Sequence, residues 1–127
     1  LVPNNVWGQE HCIKDLTMKD ATCVKETMTV SEAITLFKTD KSVAFICKDE
    51  AGKINGVLTP TVLMGKVNKL KVTMADPIKS CLLLMKNIRM MTSTVPVFEL
   101  SRVLERDNFV IVEDKYVVTS NDVLDFM

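Results

Sequence analysis

The chain has one histidine, one tryptophan and one tyrosine in 127 residues. A single histidine is thin support for a nucleophile–base pair, and no nucleophile stands out for it to serve. The four cysteines, Cys12, Cys23, Cys47 and Cys81, include no C-x-x-C pair. Zinc sites space their ligands more tightly, so reduced structural thiols are expected, in a reducing, cytoplasmic compartment. Charge of one sign is not in excess: 16 Lys and Arg face 16 Asp and Glu. That leaves no electrostatic footprint for nucleic acid. No apolar run approaches the roughly 20 residues of a membrane span. The longest, Cys81-Leu82-Leu83-Leu84-Met85, is expected in the core. Residues 1–9 are polar and irregular, unlike a signal peptide. The first residue is not Met, so the chain is expected to be cut from a longer one.

What the chain does have is a pattern stated twice. With 47% apolar and 25% charged residues it should bury a core, either one compact domain or two half-domains sharing one. Thr29 to Phe37 opens a helix, Val43 to Cys47 reads as a strand, and Val57-Leu58-Thr59 ends a second strand and starts a helix. Thr94 to Leu100, Phe109 to Val112 and Val117-Val118-Thr119 repeat that order. A repeated helix–strand–strand–helix unit predicts two like modules, and paired modules create ligand-binding clefts.

Local chemistry sharpens the elements. Trp7 is the one anchor in a polar leading segment. Residues 12–16 form a helical turn and Thr22-Cys23-Val24 a short extended piece. Ser31 or Thr29 caps the first helix, whose apolar stripe is Ala33, Ile34, Leu36 and Phe37. Residues 49–53 form a hairpin loop with Gly52 supplying positive φ. Thr59 caps the next helix with Pro60 in its first turn, and Val62, Leu63 and Val67 form its apolar face. Asp76-Pro77 marks a start; Ile78 to Met85 is left open between helix and strand. Thr94 caps a helix with Leu100, Val103 and Leu104 as its stripe. Residues 108–112 and 116–118 pair across a tight turn at 113–115. A last helix from Thr119 packs through Val123, Leu124 and Phe126.

These residues resemble a tandem pair of CBS domains, a Bateman module, and more closely the C-terminal regulatory region of animal cystathionine β-synthases. Leu100 to Phe109, Asp49 to Gly52, and Val117-Val118-Thr119 with Asp122-Val123-Leu124 carry the likeness. Trp7 falls where those enzymes have a Trp cluster after the catalytic domain. The resemblance implies an α/β (α+β) fold of two β-α-β-β-α units with pseudo-two-fold symmetry. It divides the chain into a linker at 1–11, a first CBS domain at 12–72 and a second at 73–127. The parent family is a pyridoxal-phosphate-dependent lyase of transsulfuration. Its catalytic lysine and pyridoxal phosphate would lie upstream, so no cofactor and no catalytic residue are expected here. Self-association as a homodimer and contact with the catalytic domain of the same polypeptide are implied as well. Nucleic acid, membrane and metal are not.

The family binds adenosyl ligands through a Thr-x-x-Asp signature at the start of each unit's last helix. The Thr hydroxyl and the free helix N–H groups offer hydrogen bonds, and the Asp can accept both ribose hydroxyls. Thr119-Ser120-Asn121-Asp122 keeps the signature, whereas Thr59-Pro60-Thr61-Val62 has Val in place of the acid. By family geometry the surviving site, Thr119 and Asp122, is also lined by Val117, by Ser42, Val43 and Ala44, and by Asp20-Ala21-Thr22. The aromatic–Asp pair of S-adenosylmethionine-binding relatives is here Lys41-Ser42. That removes a stacking ring, about 1–3 kcal/mol by analogy with base–aromatic stacking, along with an acid, and brings a cation toward a cationic ligand. Tyr116 replaces the usual Gly, and its ring is expected to shrink the cleft. The expectation is a regulatory and self-association module that binds S-adenosylmethionine weakly or not at all. The alternative is an adenosyl sensor near Thr119 and Asp122. Capping alone also explains both residues.

Overall fold

The computed structural model describes residues 10–127. Trp7 and most of the expected linker lie outside the described residues. Two compact units emerge. One is Ala21–Ile88; the other joins the described residues up to Asp20 to Arg89–Met127.

The Ala21–Ile88 unit runs β1 (Cys23–Lys25), α1 (Val30–Thr39), β2 (Phe45–Lys48), β3 (Ile54–Leu58) and α2 (Pro60–Asn68). Its sheet has the order β1-β2-β3, with β1 parallel to β2 and β2 antiparallel to β3. α1 starts at Thr29, not Ser31. The Thr29 N–H and hydroxyl both donate to Glu32 Oε1, at 2.9 and 3.0 Å, and the Thr29 hydroxyl accepts from the Glu32 N–H at 3.1 Å. This reciprocal box satisfies the helix-start donors, which Ser31, already inside the first turn, cannot do. It also holds the Glu32 carboxyl below its ordinary range, chiefly through the Thr29 N–H. The stripe lands on the sheet: Ala33 is fully buried, and the Phe37 ring stacks on Phe45 at 3.9 Å. Gly52 has φ +84 in the β2–β3 loop, as expected from its place in the hairpin.

The second unit repeats the order as β4 (Met90–Met91), α3 (Val97–Leu104), β5 (Val110–Val112), β6 (Tyr116–Val118) and α4 (Ser120–Phe126). Its sheet order is β4-β5-β6, with β4 parallel to β5 and β5 antiparallel to β6. The mixed α/β class and the doubled β-α-β-β-α order are those expected. Two local expectations change. α3 begins after Pro96, not Thr94, and Pro96 makes no side-chain cap. A pyrrolidine with φ −61 already suits a helix start. Leu124 does not pack, being 63% exposed, while Val123 is buried. The β5–β6 turn places Glu113 and Asp114 at φ 52 and 57, a left-handed pair without glycine.

The unit boundaries depart from the halves expected at 12–72 and 73–127. The backbone hydrogen bonds of the connecting segments give the reason. Ile13 N–H donates to Val95 O and Val97 N–H to His11 O, both at 2.9 Å, so residues 11–13 pair with the start of α3. Val30 N–H donates to Asp76 O at 2.9 Å and Ile78 N–H to Met28 O at 2.8 Å, so residues 76–78 pair with the start of α1. Ile13 and Leu16 accordingly join the core with Leu100, Val110 and Val123, and Ile78 and Cys81 join that with Phe45, Leu58 and Leu63.

The open stretch 78–85 is neither helix nor strand. A 3-10 turn at Ile78–Cys81 leads to a single antiparallel bridge between Leu83 and Val57. Cys81 is buried but Leu84 is 54% exposed, so the longest apolar run is only partly core. This strap crosses β3 at Gly56, where a Cβ would stand 2.7 Å from Leu83 O and 2.9 Å from Leu82 Cβ. All four cysteines are free thiols; Cys47 and Cys81 are buried and Cys23 is exposed. Burial, with the Glu26 and Asp49 carboxylates nearby, pushes the Cys47 thiol up to about 11. No helix of the described residues is long and apolar enough to cross a membrane.

Candidate functional site

Because each unit's last helix follows directly on its last strand, the Thr at that junction sits in extended backbone while its neighbours turn helical. Thr119 has φ −123 and ψ 173, and Thr59 has φ −117 and ψ 151. The two junctions then diverge. In the Ala21–Ile88 unit the Thr59 hydroxyl accepts the Val62 N–H at 3.3 Å, a plain cap with no acid. At the other junction Asp122 Oδ2 accepts the Thr119 N–H at 2.8 Å and its hydroxyl at 3.3 Å. One carboxylate oxygen is thus engaged in starting α4. A carboxylate has acceptor sites on both oxygens, so Oδ1 retains the capacity to receive a diol. Asp122 and Thr119 are half-buried. The pair brought together by the fold is therefore a helix start that leaves one carboxylate oxygen uncommitted to it.

Val117, on β6, pairs with Ile111 across the hairpin. Tyr116 beside it is half-buried against its own unit's core, pairs with Asp20 in an antiparallel bridge, and has Lys115 Nζ at 5.1 Å from its ring centre.

Ser42, Val43 and Ala44 belong to the other unit. Val43 is 43% exposed, whereas Ala44 is fully buried. Ser42 is held by a residue that sequence reasoning passed over. Asp40, at the C-terminal cap of α1, accepts the Ser42 N–H at 3.0 Å and the Ser42 hydroxyl at 2.5 Å on Oδ1. The Thr22 hydroxyl donates to its other oxygen at 2.5 Å. These donors keep the Asp40 carboxyl below its ordinary range, the Ser42 hydroxyl first and the Thr22 hydroxyl next. A carboxylate thus stands one residue before the Lys41-Ser42 pair. The signal was present as Asp-x-Ser at a helix end, where Asp bonds to the backbone two residues on. Lys41 does not join this trio. It lines a groove with Ile34, Phe37, Lys38, Pro60, Leu63 and Met64. Among the described residues no group of three or more His, Cys, Asp or Glu is arranged to hold a metal ion.

Residues 13–69 match the family profile for the CBS domain. No curated protein matches the chain. Solved structures do. An uncharacterized conserved protein from Pyrococcus horikoshii is 20% identical with a TM-score of 0.75, over 92% of each chain. A CBS-domain-containing protein from Agrobacterium tumefaciens is 20% identical with a TM-score of 0.75, over 90% of this chain and 96% of its own. CBSX2, solved in complex with AMP, is 17% identical with a TM-score of 0.73, over 91% and 94%. The fold is that of a tandem CBS-domain pair.

Proposed function

We propose that this chain is a non-catalytic regulatory and self-association module of a cystathionine β-synthase. In that setting it pairs as a homodimer and bears on the catalytic domain of the same polypeptide, where pyridoxal phosphate would supply the chemistry. The likeness of Leu100 to Phe109 and of Asp122-Val123-Leu124 to that enzyme's regulatory region supports the parentage. The AMP complex of CBSX2, a fold relative, supports a regulatory role.

One observation carries the expectation of weak or no S-adenosylmethionine binding. Of the two helix-start signatures only Thr119–Asp122 has an acid, and one of that acid's two oxygens is already engaged by Thr119. No ring stands at Lys41-Ser42 to stack on a base. A second reading, an adenosyl sensor, is favoured by Asp40, which restores a carboxylate beside Ser42.

Calorimetric titration of the chain with S-adenosylmethionine and with AMP separates the two. The first reading expects dissociation constants weaker than about 1 mM, or about −4 kcal/mol. Micromolar affinity for either ligand establishes the second, and Asp122→Ala then abolishes it.

A further inference from the structure

The sheet of the Ala21–Ile88 unit has a second polar end, away from Thr59 and residues 42–44. There β1 and β2 run parallel and finish side by side, with Lys25 opposite Lys48. These two lysines, with Glu26 after β1 and Asp49 and Glu50 after β2, line a cavity of about 310 Å3. That is near the lower limit for ligand pockets and suits a small molecule.

A bulge lies next to this end. Cys47 pairs with Gly56 but Lys48 pairs with Ile54, so Asn55 is the extra residue of β3 and has no partner on β2. Its side chain reaches past β2 instead, and Asn55 Nδ2 donates to Glu26 Oε1 at 2.6 Å. That bond fixes which way the amide faces and leaves Oδ1 buried with no donor among the described residues. A buried acceptor left unmatched is costly and calls for a donor. Two further acceptors are uncommitted. Asp49 Oδ1 accepts the Ala51 and Lys53 N–H groups, both at 2.9 Å. Asp49 Oδ2 and Glu26 Oε2 accept no hydrogen bond among the described residues. The two carboxylates converge, since both stand close enough to the buried Cys47 to oppose its ionisation. Lys25 and Lys48 form no ion pair among the described residues.

The mixture of signs selects the ligand. A plain carboxylate meets three acids, and a plain amine meets two lysines. No group of three His, Cys, Asp or Glu among the described residues is arranged for a metal ion. A zwitterion answers both signs. A primary ammonium has three donors, matching the three uncommitted acceptors, and a carboxylate takes charge-assisted bonds from lysine. We propose that the cavity at the ends of β1 and β2 binds a free α-amino acid. Its ammonium donates to Asn55 Oδ1, Glu26 and Asp49, and its carboxylate is set against Lys25 and Lys48. The site belongs to a different unit from the Thr119–Asp122 junction, so it does not depend on any adenosyl ligand.

Heteronuclear NMR titration of the chain with glycine tests it, with methylamine and acetate as controls that carry one charge each. Glycine shifts the amides of residues 25–27, 48–50 and 55 saturably. It binds about tenfold more tightly than either control, because each control forfeits one set of charge-assisted bonds. Glu26→Gln and Lys48→Met each weaken glycine binding by about tenfold. Gln still accepts from Asn55, and the dispersion of the spectrum verifies that each variant stays folded. Amides that stay unmoved at about 100 mM glycine overturn the proposal. So does glycine binding that both substitutions leave unchanged.

Discussion

The Ala21–Ile88 unit and its companion use the same brace, but one takes it from after its last helix and the other from before its first strand. In the first, residues 76–78 follow the last helix and pair with the start of α1; in the second, residues 11–13 precede everything and pair with the start of α3. Ile78 and Ile13 occupy matching places, and both are fully buried. The brace has to fill a core position and satisfy backbone groups, and chain order is immaterial to either job. Reaching it from a distance costs only slowly rising loop-closure entropy. Each unit then settles its third strand differently. Gly56 leaves room for the Leu82–Leu83 strap, whereas Tyr116, its counterpart, carries a ring packed on the core.

The largest effect should come from removing the braces. Ile13→Ala and Ile78→Ala should each cost about 3 kcal/mol, in the range for large-to-small changes at buried sites. Hydrogen exchange followed by mass spectrometry should show Ile13→Ala exposing the amides of residues 89–127 and Ile78→Ala those of residues 21–68. Loss of protection in the opposite unit would break the division. Next comes Gly56→Val. Its Cβ meets a backbone oxygen that cannot swing away, so about 2–3 kcal/mol should be lost on thermal unfolding. An unchanged midpoint would mean that the strap does not cross there.

Helix starts give a smaller contrast. Thr29→Ala should cost about 1 kcal/mol, while Thr94→Ala, whose hydroxyl meets only that of Thr92, should cost a few tenths at most. Equal losses in urea unfolding would return Thr94 to the capping role. The smallest effect is the acid sensitivity of the Ala21–Ile88 unit. Asp40 is held below its ordinary value in the fold, so its contribution is present above the unfolded value, about 3.9. It should fade as pH falls through that value toward the depressed one. Asp40→Asn should flatten stability in that window, and an unchanged pH profile would show that the trio adds nothing to stability.

Much of this was legible in the residues. Hairpin loops, the Gly52 turn, the Thr59 cap and the doubled order follow from short-range chemistry, because their determinants lie within a few positions. The asymmetry of Val62 and Asp122 was legible for the same reason. What escaped notice depended on partners far away in sequence. Thr22 lies 18 residues from Asp40, so nothing local announced their bond. The 78–85 stretch was undecidable because its backbone partner is Val57, which lies on another strand. Leu124 fits a helical stripe but faces a groove, and periodicity cannot say which of two neighbouring faces meets the core.

By itself, then, the sequence determined the repeat, the hairpin and closing helix of each unit and the one junction that keeps a carboxylate. These depend on turns, caps and alternation, which are short-range. Only the tertiary structure decided which connecting segment completes which core, where Asp40 spends its charge, and which apolar side chains remain uncovered. Those outcomes depend on hydrogen bonds and packing between residues that the chain itself keeps apart.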